Sequence, residues 1–241
     1  MEKKEFLERI RLNIDAHNYH VTIVTGGACP RYAYTIGLKD KIGYELIFSG
    51  SGNLSVNVLN QTINDVYKQL IINNNPNDAR VDSASSGSFT VSEVDPSWSR
   101  LLMLGAFDFY QTSEIKACQI LPERKYRTLD VPDLARKFNA SAEPIWQWLT
   151  LDWPYTVPYN SIAITSVTAL YGQKTTEATR WEEKEWEIFV GSGLEIDKTS
   201  TCIVPLATLL GIDNSIEPVL NLKIGEGSWR DTTELEWHEW N

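Results

Sequence analysis

Cys29 and His20 are the side chains whose types could carry covalent chemistry, a thiol nucleophile with an imidazole to take its proton, and Tyr34 stands in the same stretch. All three fall in "HVTIVTGGACPRYAYTIGL", where Gly26 and Gly27 could also turn backbone N–H groups toward an anion and Arg31 could add charge. No Gly-Lys-Ser/Thr follows, and Cys29 to Arg31 is too short for the Cys-x5-Arg loop of a phosphatase. A hairpin turn accounts for the same glycines through their freedom at positive φ. His17 and His20 would share a face if helical, but zinc needs a third ligand and His238 is the only other histidine. Neither a metal nor a cofactor is expected. The chain has no Gly-x-Ser-x-Gly elbow and no dinucleotide glycine pattern.

A second constellation suits binding rather than catalysis. Eight of the nine tryptophans lie beyond residue 140, and two stretches mix them with acids. "RWEEKEWEIF" carries Trp181 and Trp186 with Glu182, Glu183 and Glu185. "WRDTTELEWHEW" carries Trp229, Trp237 and Trp240 with Asp231, Glu234, Glu236 and Glu239. Aromatic anchors ringed by carboxylates suit a basic protein partner. The alternative is that the tryptophans fill a core and the acids form its solvated rim. The charge distribution points the same way as the clusters. Through Pro132 the chain has fifteen acidic and fourteen basic residues, and from Asp133 onward seventeen against eight. So acidic a later half disfavours nucleic acid and anionic membranes.

The elements that must position these residues follow from periodicity. Phe6, Ile10 and Ile14 mark an amphipathic helix, and "HVTIVTG", "RYAYTIGL" and "YELIFSG" read as three strands, with Tyr32, Tyr34 and Ile36 on one buried face. Val56, Leu59, Ile63, Val66 and Leu70 predict a helix with Asn53 as its cap. "GSFTVSEV" and "IKACQILP" read as strands, and "SRLLMLGAFDFYQ" as either a short helix or a strand. "VPDLARKF" and "AEPIWQWL" suggest short helices, followed by strands in "SIAITSVTALY" and "EWEIFVG". The expected class is α+β, a mixed or antiparallel sheet with packed helices, either as one body or as two subdomains sharing an interface. The division is placed at 1–132 and 133–241. Three widely spaced cysteines argue against a disulfide framework and read as buried thiols. With no apolar run of membrane-spanning length and a charged start, a cytoplasmic protein is expected.

"YAYTIGL", followed by "GYELIFSG", resembles a bacterial domain-of-unknown-function family, number 4262. That family has an aromatic-Ala-Tyr-Thr-apolar-Gly-Leu phrase ahead of a Gly-His-Pro-Glu-Leu-like strand. Gly43, Glu45 and Leu46 match the second phrase, while Tyr44 stands where His-Pro is usual. The resemblance covers roughly residues 13–132. The later segment "CIVPLATLLGIDNSIEPVLNLKIGEGSWRD" is similar to segments beside immunity-type domains, where Pro-Leu-x-x-Leu-Leu, Asp-x-Ser and Leu-x-x-Gly precede an Arg and a Trp. The resemblance implies a bacterial source and, through the company this family keeps at polymorphic-toxin loci, toxin neutralisation.

The expected function is therefore an immunity protein that occludes a basic toxin domain. The alternative is a small hydrolase or modifying enzyme using Cys29, His20 or Tyr34.

Overall fold

Residues 3–73, 80–83, 87–193, 196–233 and 236–240 are described by a computed structural model. Helix α1 (Lys3–His17) leads into β1 (His20–Val24) and β2 (Tyr32–Ile36); a short α2 (Lys39–Ile42) precedes β3 (Glu45–Ser49). Helix α3 (Val56–Asn73), β4 (Arg80–Ser83), β5 (Gly87–Glu93), α4 (Pro96–Leu102), α5 (Leu104–Tyr110) and β6 (Ala117–Pro122) complete the first unit. Its sheet runs β1-β2-β3-β6-β5-β4, antiparallel except for the β3–β6 pair.

Both faces of this sheet are covered, which is why β2, β3 and β6 are buried at every position. Leu59, Ile63, Val66 and Leu70 of α3 pack with Ala33, Leu46, Phe48 and Ile120 on one side. Tyr32, Tyr34, Ile36 and Ile47 meet Ile10, Trp98, Met103 and Trp146 on the other. The apolar period of α3 is as the sequence predicts, but its start is two residues later than an Asn53 cap implies. Asn53 lies in a turn closed by Leu54 N–H on the Ser51 carbonyl, and Ser55 Oγ accepts from Val58 N–H at 3.3 Å. The ambiguous "SRLLMLGAFDFYQ" is helical, begun by Asp95 accepting from Ser97 N–H with Pro96 in the first turn.

Residues 123–161 cross to the second sheet. The two short helices expected there are turns, with one 3-10 turn at Gln147–Leu149. Asp133 and Asn139 side chains accept from Ala135 and Ser141 N–H, and such local bonds compete with a helix. Leu134, Ile145 and Trp146 are nevertheless buried against the first sheet.

The second sheet contains β7 (Ile162–Ser166), β8 (Glu177–Arg180), β9 (Glu185–Phe189), β10 (Thr201–Pro205), β11 (Gly227–Trp229) and β12 (His238–Glu239), in the order β10-β7-β9-β8-β11-β12. Helices α6 (Val167–Leu170) and α7 (Leu206–Ile212) and a 3-10 segment (Asn214–Asn221) bury Ala163, Ala178, Trp186, Ile188 and Val204 on one face only. The two units meet closely: Leu129 N–H donates to the Leu170 carbonyl, and a Cβ at Gly211 would stand 2.6 Å from Ile145 Cα. The architecture is α+β with two mixed sheets. No helix among the described residues is long and apolar enough to cross a membrane.

Candidate functional site

The phrase "YAYTIGL" and the following glutamate form one hydrogen-bonded unit. Glu45, fully buried, accepts from Thr35 Oγ1 (2.6 Å), Gly37 N–H (3.0 Å), Leu38 N–H (3.3 Å), Lys39 N–H (2.9 Å) and Tyr110 Oη (2.5 Å). Burial pushes its carboxyl up, and the bonds from Thr35, Tyr110, Lys39 and Gly37 pull it back. Gly37 has φ +112°, and a Cβ there would stand 2.9 Å from Ile14. The unit ties β2, β3, α2 and α5 together with every carboxylate contact made inside the protein. It is a structural clamp with no position left for a substrate.

Cys29, His20 and Tyr34 do not converge. His20 pairs with Ile36 at one end of the β1–β2 ladder, while Val24 and Tyr32 close the other end, where the loop carrying Cys29 begins. Four strand steps separate His20 from that end, about 13 Å. His20 Nδ1 contacts Asn13 Nδ2 at 2.7 Å, and burial followed by Arg9 holds its imidazole below the ordinary value. Burial pushes the Cys29 thiol up to about 12, the opposite of an activated nucleophile. Tyr34 is buried and accepts from Gly105 N–H at 3.1 Å, so the strand expected to bury one face buries both. Arg31 is likewise engaged, donating to the Leu54 and Ser51 carbonyls at 2.6 and 3.2 Å. His17 ends a helix and His20 begins a strand, which overturns their shared helical face.

The uncovered face of the second sheet holds the acidic and aromatic residues. In β9 the alternation sends Trp186 and Ile188 inward and Glu185 and Glu187 outward. The pairings place Ile203, Ile164, Glu187, Thr179 and Gly227 in one outward row across five strands. A second row runs through Phe189, Glu177, Trp229 and His238; Phe189 is buried against Gly193, whose N–H donates to Glu177 at 2.8 Å, so this row is open only toward Trp229 and His238. Three carboxylates and no Lys or Arg occupy the outward positions of these strands. Trp240 lies across Gly227 and, with Trp229, Trp181, Ile164 and Ile203, is among the exposed large apolar side chains. Trp181 N–H donates to the Glu185 carbonyl at the end of the β8–β9 hairpin, where Glu182 and Glu183 are exposed.

Two of the tryptophans expected at a partner surface are elsewhere. Trp186 is only 1% exposed, on the core side under the Arg180 guanidinium, because its place in the alternation is opposite to Glu185. Trp237 is half-buried, its Nε1–H donating to the Ser215 carbonyl at 3.0 Å. Asp231, Glu236 and Glu239 are exposed, and Asp231 accepts from Thr233 N–H in a tight turn. Glu234 lies outside the described residues. Glu177, Glu187, Ile164 and Ile203 were missed by sequence reasoning. Glu187 shares the outward side of β9 with Glu185, whereas Glu177, Ile164 and Ile203 each sit alone in their own strands, and only the cross-strand register gathers them.

Fold and surface together define a two-sheet α+β protein, one sheet enclosed and the other presenting an open acidic and aromatic face. Residues 13–126, most of the first unit, match the family described as "Domain of unknown function (DUF4262)". No curated protein and no solved structure matches the chain. The matched residues contain the Glu45 clamp and the whole enclosed sheet; the second sheet lies outside them.

Proposed function

We propose that this is a partner-binding protein, a bacterial immunity protein of the cytoplasm whose second sheet occludes a basic toxin domain. The observation that supports the reading is the outward face of that sheet, with Glu177, Glu185 and Glu187 interleaved with exposed Ile164, Ile203, Trp229 and Trp240. Apolar and aromatic area supplies binding energy at the centre of such a contact, and the carboxylates steer a cationic partner and reject anionic ones. A toxin that grips phosphates would meet carboxylates in their place. The experiment is co-purification with the products of neighbouring genes at low and high salt, using wild type and a Glu185→Lys/Glu187→Lys double variant. The expected result is a complex with a basic product that weakens with salt and weakens roughly tenfold or more in the variant. A complex indifferent to both changes, or no complex, overturns the reading.

A further inference from the structure

Between the loop joining β1 to β2 and residues 148–159 lies a recess of about 380 Å³, within the range of small-ligand clefts. Its walls include Tyr32, Trp148, Trp153 and Tyr159, together with Asp152. Among the described residues no Lys, Arg or His contributes to the lining. The Asp152 side chain is exposed and has neither an ion-pair nor a hydrogen-bond partner among the described residues. We propose that this recess binds an organic ammonium group.

Two features support this assignment. Aromatic rings carry negative potential on their faces, and a carboxylate next to them adds a full charge, so the recess attracts a cation and repels an anion. The rings are set before a ligand arrives. Trp148–Trp153, Trp153–Tyr155 and Trp148–Tyr155 meet edge to face at 4.9, 4.9 and 6.2 Å, and Trp153 Nε1–H donates to the Val157 carbonyl at 2.7 Å. Pro154 and Pro158 fix the backbone on either side. The acidic aromatic sheet plays no part in this argument, so the site stands or falls by itself.

The ammonium has two sources with the same chemistry, a free small amine or a lysine side chain. Calorimetric titration of the full chain with choline, with Nα-acetyl-lysine methylamide and with 3,3-dimethyl-1-butanol, the neutral carbon isostere of choline, separates them. Tighter binding of choline points to the free amine, tighter binding of the lysine compound to a protein-borne one; either supports the site. The expected result is saturable binding of at least one cation by about 10 mM, with the neutral isostere at least tenfold weaker. Asp152→Asn and Tyr159→Ala, both at exposed positions, should each lower the affinity about tenfold with unchanged thermal midpoints. Absence of saturable binding, equal binding of the isostere, or wild-type affinity in both variants overturns the proposal.

Discussion

The Arg230 guanidinium lies 2.8 Å from the Asp213 carboxylate with its own side chain fully enclosed. Its Nε–H donates to the Thr175 carbonyl (2.7 Å), its Nη1 to Ser215 Oγ (2.6 Å), and Trp237 lies against it at 4.5 Å. The Asp-x-Ser, Arg and Trp of the later sequence pattern are thus parts of one anchor, holding the chain after β11 onto the 3-10 segment. Removing the cation leaves a carboxylate and several acceptors behind. Arg230→Ala should therefore cost about 3 kcal/mol in urea unfolding.

Acid should release the same anchor. Burial pushes the Asp213 carboxyl up, but bonds from Ser215 and Arg230 outweigh it and hold the group below the ordinary carboxylate value. A group depressed in the folded state contributes stability that is present above its unfolded pKa, about 3.9, and is lost as pH falls through the folded value. The stability gap between wild type and Asp213→Asn should be constant near neutrality and close progressively below about pH 4. Denaturant midpoints of both proteins across that range check it; a gap that widens on acidification would refute the assignment.

The Glu45 clamp makes a different demand, since a carboxylate with five donors has no neutral equivalent. Glu45→Gln turns an acceptor-only group into one that offers two N–H donors to Thr35, Tyr110 and three backbone amides. The expected cost is about 3 kcal/mol, and Tyr110→Phe, which removes the bond to Glu45 and the one accepted from Gly37 N–H, should cost about half of it. Urea unfolding followed by tryptophan fluorescence measures both. If Glu45→Gln were neutral, the clamp would be incidental to the fold.

How far the sequence could be read depended on whether information was local. Alternation in "YAYTIGL" and the apolar steps of α3 were legible because each lies within one element. That Glu45 reaches back to Gly37 was not, since its partners are set by the meeting of β2, β3 and α5. The same distinction explains the tryptophans. "EWEIF" contains its own answer, as period-two alternation puts Trp186 opposite to Glu185 and Glu187. By contrast, the row joining Ile203, Ile164 and Glu187 needs the parallel β7–β9 register, which no short stretch encodes. Pro132 and Asp133, and later Asn139 and Pro144, favoured turns over helices where apolar spacing alone suggested helices.

The thiols provide a test of the catalytic alternative. Burial pushes Cys29, Cys118 and Cys202 each up to about 12. A thiol so raised has almost no thiolate at neutral pH, so the native protein should react with Ellman's reagent at least tenfold more slowly than the urea-unfolded chain. A single fast thiol in the native state, traced to Cys29 by its serine substitution, would show an activated nucleophile and restore the enzyme reading.

The tryptophans of the second sheet should separate cleanly into two kinds. Trp186 is buried in the core of the second unit, so Trp186→Ala leaves a large cavity and should cost about 3–5 kcal/mol. Trp181 and Trp229 are 53% and 43% exposed, and their replacement by alanine should cost under about 1 kcal/mol. On the proposed function, these exposed rings among carboxylates make their main contacts with the partner. Each exposed substitution should accordingly weaken a complex with a basic partner by 2 kcal/mol or so, about thirtyfold, while leaving its unfolding midpoint nearly unchanged. Loss of stability without loss of binding would assign these rings to the fold and move the partner surface away from the second sheet.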